Sequence, residues 1–151
     1  MKKRILPIAL ILFVLITLFP AHASATQSQS DVIVFDNGDY LEIAIEYVPV
    51  RATNTRIGNK YFTYYDSNDN VEWEAKLNAN FTYDGTTSVC TNASCTVTVY
   101  DSVWYEISNT TTRSGGTATT ALTMGRKFLG ITISKPEYTI TLSCDKNGNL
   151  S

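Results

Sequence analysis

The sequence predicts an all-β domain: an antiparallel β-sandwich or partly closed barrel of about seven to nine strands. Three observations carry this reading. Apolar and polar residues alternate with period two, Thr, Val, Ile and Tyr dominate the alternating segments, and turn-forming residues recur between them at roughly regular spacing. After the N-terminal leader no segment shows a 3.6-residue apolar repeat.

The leader comes first. Lys2, Lys3 and Arg4 precede an apolar run over 5–19 that ends at Pro20, followed by Ala21-His22-Ala23 and Ala23-Ser24-Ala25. This is the layout of a secretory signal peptide over 1–25, with cleavage expected after Ala23 or Ala25. The run is shorter than the roughly 20 residues a membrane-spanning helix needs, and an uncleaved anchor is the competing reading. No second long apolar stretch follows, so a secreted chain without a membrane span is expected after cleavage. Residues 26–30 are polar and are expected to be a disordered lead-in to a single domain over 31–151.

A β-branched segment over 32–35 and an alternating one over 40–48 flank Asp36-Asn37-Gly38-Asp39, which predicts a hairpin, because Asn-Gly tolerates the positive φ angles of tight turns. Leu41, Ile43, Ile45 and Tyr47 share one face, and Pro49 ends the strand. A strand over 60–65 is expected to pair, through Asp66-Ser67-Asn68-Asp69-Asn70, with the cleanest alternation in the chain. There Val71, Trp73, Ala75, Leu77, Ala79, Phe81 and Tyr83 are apolar and the residues between them polar, as a long half-buried strand or two strands joined by a bend requires. Cys95, Val97, Val99, Val103, Tyr105 and Ile107 set a further face, broken near Asp101-Ser102. After a turn at Arg113-Ser114-Gly115-Gly116 come strands over 117–124, 127–133 and 137–144, with Gly125 and Pro136 near their boundaries.

Charge and composition narrow the function classes. With cleavage after Ala25 the chain keeps nine Lys and Arg against fourteen Asp and Glu, a net charge of 9 − 14 = −5. Without a basic cluster larger than Arg126-Lys127, nucleic acid is an unfavourable partner. The one histidine, His22, falls in the leader, so the mature chain is without the imidazole that Ser-His-Asp and Cys-His catalysis and most zinc sites require. No catalytic, cofactor or metal residues are assigned.

The stretch Asn37-Gly38-x-Tyr40-x-Glu42, the aromatic run 61–65, Phe81-Thr82-Tyr83-Asp84-Gly85 followed by Cys90-Thr91, and the ending Leu142-x-Cys144-x-x-Asn147-Gly148-x-Leu150-Ser151 resemble a family of small exported proteins of unknown function from Gram-positive, mainly anaerobic, bacteria. The resemblance implies export, a β domain and a cysteine pair at Cys90 and Cys144, and it brings no mechanism. Cys95 departs from the family's pattern. A Cys90–Cys144 disulfide is therefore expected; closing that loop stabilises by roughly 4 kcal/mol in the chain-entropy model, against about 2 kcal/mol for Cys90–Cys95. A Cys95–Cys144 bridge closes a loop of nearly equal length and stays open as the alternative.

Other constellations have plainer readings beside the functional one. Asp66, Asn68 and Asn70 space their oxygens as an EF-hand calcium loop begins, but Val71 and Leu77 stand where that loop needs Gly and Glu, so a turn is expected. Glu72 and Glu74, two residues apart, suggest a glycosidase carboxylate pair, although the alternation places them side by side on a wet face. Adjacent aromatics cannot both face the core, so some of Tyr64, Tyr65, Trp104 and Tyr105 are expected at the surface, suited to stack on sugar rings or anchor a protein. The expected function is a secreted, non-enzymatic binding domain for a cell-wall glycan or surface protein. The alternatives are a carboxylate-based glycan hydrolase and a self-associating structural protein.

Overall fold

The computed structural model describes residues 29–151; the leader and residues 26–28 lie outside the described residues. Two antiparallel sheets face each other as a sandwich, as the alternation predicts. The first is a meander of β1 (Gln29–Val34), β2 (Tyr40–Val48), β3 (Thr55–Tyr65), β4 (Val71–Tyr83) and β5 (Ser88–Val99), hydrogen-bonded in chain order. In the second, β6 (Trp104–Ser114) pairs with β7 (Thr117–Phe128), whose other edge is shared by β8 (Ile131–Ser134) and β9 (Glu137–Ser143). The first ladder begins at Gln29, which pairs with Ile45, so β1 reaches two residues into the segment expected as a lead-in.

The inward residues of the alternating strands make one core. Trp73, Leu77 and Phe81 of β4 face Leu122 and Met124 of β7 and Ile140 and Leu142 of β9, all essentially without solvent contact. Each such side chain contributes on the order of 1.5–3 kcal/mol by leaving water. The 71–83 alternation is one unbroken strand, with a bulge at Asn80/Phe81 in its pairing to β5.

Three hairpin turns share one backbone. In each, the first residue's amide bonds the fifth residue's carbonyl and the fourth residue's amide bonds the first carbonyl: Phe35 to Asp39, Asp66 to Asn70 and Asp145 to Asn149, all at 2.9 Å. The fourth residue takes a left-handed φ in every case, 85° at Gly38, 64° at Asp69 and 86° at Gly148. Asp66 and Asp145 add a side-chain cap: Oδ1 accepts the amides two and four residues on, and Oδ2 accepts the side-chain amide of Asn70 or Asn149. These bonds hold the Asp66 carboxyl down to about 2, the Asn70 side chain contributing most. The oxygens that resembled a calcium loop are thus spent on the turn.

Three strand expectations change. The segment expected as a strand over 127–133 is split, because β7 runs on to Phe128 and Leu129-Gly130 then reverses the chain into β8. Gly125 is not a boundary: it lies inside β7, where the Tyr105 ring occupies the space a Cβ would need. The alternation expected from Cys95 through Ile107 is reset by the turn over 100–103, which puts Trp104 inward, and a bulge at Glu106/Ser108 leaves Ile107 exposed.

Candidate functional site

The four aromatics of which some are expected at the surface divide by parity. Tyr64 and Trp104 are buried, at 6% and 5% exposure, and belong to the core, so neither is a surface binding residue. The Tyr64 ring stacks against Trp73 at 5.6 Å and its hydroxyl donates to Asp39 at 2.9 Å. Burial first, and then that carboxylate, push its pKa upward. Their neighbours face the other way. Tyr105 lies half-buried over Gly125 with its hydroxyl 2.7 Å from that of Thr132, and Tyr65 stands on the outer face of the first sheet.

That outer face is a regular array fixed by register. Across β2, β3, β4 and β5 the rows read Glu42, Thr63, Glu74, Thr98; then Ala44, Tyr61, Lys76, Thr96; then Glu46, Asn59, Asn78, Ser94. Tyr40 and Tyr65, directly opposed, stack with centroids 4.6 Å apart. A hydrogen-bond chain runs along one row: Asn78 Nδ2 donates to Asn59 Oδ1 at 2.7 Å, and Asn59 Nδ2 to Glu46 Oε2 at 2.8 Å. The Tyr61 hydroxyl donates to the same Glu46 oxygen at 2.8 Å, and the Tyr65 hydroxyl to Glu42 at 3.2 Å. The Asn59 amide and then the Tyr61 hydroxyl draw the Glu46 carboxyl below its ordinary value, so it stays an acceptor. Lys76 Nζ sits 5.2 Å from the Tyr61 centroid. These bonds fix the rotamers of the face, which offers ring edges and carboxylate acceptors, with Asn59 itself buried among them.

Sequence reasoning singled out Tyr65 but missed Tyr40, Glu42, Glu46 and Asn59. For Tyr40, Glu42 and Glu46 the signal was parity, since they alternate with Leu41, Ile43, Ile45 and Tyr47 on β2, whereas the register opposite Asn59 on β3 includes Arg56 and Lys60.

Glu72 and Glu74 do not form the carboxylate pair. A register shift at Tyr64/Tyr65 in the β3–β4 ladder turns Glu72 inward, to 7% exposure, while Glu74 stays on the outer face opposite Thr63. Burial, with Asp101 as the next contribution, raises the Glu72 carboxyl, and its Oε2 has no hydrogen-bond partner. The expectation that both lie side by side on a wet face is therefore corrected, and this pair does not flank a common cleft.

All three cysteines are free thiols, so the expected Cys90–Cys144 bridge is not formed in this structure. Cys90 and Cys144 are nevertheless buried beside one glycine turn: the Cys90 amide donates to the Gly115 carbonyl at 2.7 Å and the Cys144 amide to the Gly116 carbonyl at 2.8 Å. Burial pushes both thiols upward, which keeps them protonated and unreactive as nucleophiles at neutral pH. Cys95 lies apart from them, half-buried on β5.

Among the described residues no cluster of acidic, cysteine or histidine side chains has the arrangement to hold a metal ion. An open concavity of about 310 Å³ lies between Thr53, Asn54, Thr82, Asp84 and Thr87, where Asp84 Oδ1 is taken up by the amides of Thr86 and Thr87. Comparison with family models, curated proteins and solved structures finds no match.

Proposed function

We propose that this chain is exported and acts at or outside the cell surface as a binding domain without catalysis of its own. Its ligand platform is the outer face of the first sheet. The supporting observation is the fixed network in which Tyr61 and Asn59 hold Glu46 while Tyr65 holds Glu42, beside the stacked Tyr40–Tyr65 pair. Tyrosine rings pack against the C–H faces of sugars, and oriented carboxylates and amides bond hydroxyl groups. The rows carry Glu42, Glu46 and Glu74 against Lys76, a surplus of two negative charges, which favours a neutral, hydroxyl-rich ligand such as a cell-wall glycan over an anionic one. The test is retention of the mature chain on insoluble cell-wall material and on glycan arrays. Retention that falls in Tyr61→Ala and Tyr65→Ala supports the reading, and no retention of the unaltered chain overturns it.

A second reading, self-association, has an observation of its own. β1 ends the first sheet, and Val32 and Val34 on it are 58% and 70% exposed, so its free edge can pair with another chain. A monomer in sedimentation analysis at high concentration removes it.

The Cys90–Cys144 disulfide remains part of the proposal, formed by exchange with an oxidised dithiol catalyst while the chain folds, before both thiols are buried. Its support is their shared anchorage on Gly115-Gly116. A peptide joining Cys95 to either other cysteine in unreduced secreted protein overturns it.

A further inference from the structure

Among the described residues, the β7–β8 hairpin carries the most exposed large apolar side chain together with three others. Phe128, Leu129, Ile131 and Ile133 are 64%, 87%, 71% and 60% exposed, and Leu129 is the most exposed large apolar residue described. Phe128 and Ile131 are directly paired on either side of Leu129-Gly130, so Phe128, Leu129 and Ile131 cluster at the tip, with Ile133 at the irregularity further along β8. Isolated exposed apolar residues need no explanation, but a contiguous cluster marks a contact surface.

The backbone at this tip is an independent observation. Leu129 has φ 50° and Gly130 φ 79°, the two positive angles of a type I′ turn. That turn favours Asn or Asp at its first position, and a branched side chain there carries strain. Among the described residues, the other non-glycine positions at positive φ are Asn54 and Asp69, types that tolerate it. Leucine at position 129 is thus unfavourable for the turn and unfavourable in water, and a contact made by its side chain accounts for both.

Charge indicates what the tip meets. Between Arg126 and Lys135 there are three basic residues and no acid, in a chain whose mature part is net negative. Arg126 is occupied, 3.8 Å from Asp39 and stacked on Trp104. Lys127 stands on β7 and Lys135 just past the end of β8, behind the apolar tip, with Tyr105 beside Lys127, its ring centroid 4.4 Å from Nζ. An apolar tip backed by lysines and a tyrosine matches the layering of a bilayer surface, with acyl chains within and anionic headgroups at the level of the cations. Asp36, Asp66, Asp69 and Asp101 lie in turns at the same end. They belong to other connections, and the β7–β8 hairpin is the one connection at that end with basic residues and no acid.

We propose that the β7–β8 hairpin is a membrane-docking element that inserts Phe128, Leu129 and Ile131 into the surface of an anionic lipid bilayer, with Lys127 and Lys135 at the headgroups. This site is separate from the sheet face assigned to glycan, and neither assignment depends on the other.

The described residues carry a complete core, so the test uses the chain from Thr26 onward, floated with vesicles of phosphatidylcholine alone or mixed with phosphatidylglycerol. Leu129→Asn creates an Asn-Gly turn, which relieves the backbone strain while removing the apolar anchor. It is expected to raise the melting temperature by about 3–5 °C and to weaken vesicle binding about tenfold or more. Lys127→Gln and Lys135→Gln are each expected to weaken binding about fivefold on the phosphatidylglycerol vesicles alone. The proposal is overturned if the unaltered chain floats with neither vesicle, or if Leu129→Asn is more stable yet floats equally well. A dimer that dissociates in Leu129→Asn without any vesicle binding also overturns it, by assigning the tip to a second copy.

Discussion

Gly116 is where a single methyl group should do the most damage for its size. A Cβ at this position would overlap the Ser88 side chain and lie 2.6 Å from the carbonyl oxygen of Cys144. Ser88 could rotate away only by giving up its hydrogen bond to that carbonyl. The carbonyl itself is held by the Cys144 amide bond to Gly116 at 2.8 Å and by the Cys144–Leu150 bridge. Relief therefore requires the glycine turn and the C-terminal segment to separate. Overpacking costs about 1–3 kcal/mol and a lost backbone hydrogen bond about 1 kcal/mol more, so Gly116→Ala is expected to lose about 2–4 kcal/mol. Gly115 provides the contrast. It has φ 52° with nothing within 4 Å of its Cβ position, and Gly115→Ala should lose only the conformational cost of about 1 kcal/mol. Thermal unfolding followed by circular dichroism reads the difference, at about 4 °C per kcal/mol for a domain of this size. Gly116→Ala unfolding no earlier than Gly115→Ala would refute the argument, because it would mean that the turn does not clamp Cys144. Ser88→Ala combined with Gly116→Ala should recover only part of the loss, since the carbonyl contact remains.

The buried carboxyl of Glu72 is raised above its ordinary value, so its protonated form favours the fold, and stability falls as pH rises from about 4.5 through the folded-state value. Glu72→Gln should accordingly be more stable than the unaltered chain at neutral pH and no more stable at pH 4, and parallel denaturant-midpoint curves across that range would contradict this. Asp66 behaves oppositely: its carboxyl is held down to about 2, so its contribution is present above the ordinary carboxylate range and is lost as pH falls toward 2. Asp66→Ala should destabilise at neutral pH and converge with the unaltered chain in acid, as read by the same midpoints. Leu122→Ala, at a fully buried site between the sheets, should cost about 2–5 kcal/mol in urea unfolding with no change in slope.

How much of this was legible in the sequence depends on whether a feature is carried by period or by register. Trp73 through Phe81 alternate without interruption, and their burial could be read directly. The hairpins at Gly38 and at Asp66 to Asn70 were legible because their residues are those that positive φ angles and Asx bonding select. The inward turn of Glu72 was not, since it follows from a shift in cross-strand pairing that leaves no mark in the local pattern. The Leu129-Gly130 turn was concealed for the opposite reason: leucine between Phe128 and Ile131 reads as continued strand, and the residue the turn prefers is missing. The sheet face was half legible. Parity separates Tyr61 and Tyr65 from Phe62 and Tyr64, but the alignment of Glu46, Asn59 and Asn78 into one row depends on the ladder.

The central claim, that the outer face of the first sheet binds a hydroxyl-rich ligand, is tested most directly by retention of the mature chain on purified cell-wall glycan, alone and with Tyr61→Ala and Tyr65→Ala together. Both rings lie outside the core, so the double variant is expected to keep its fold and lose retention by at least tenfold. A folded double variant retained as well as the unaltered chain, or an unaltered chain that is not retained, would contradict the account.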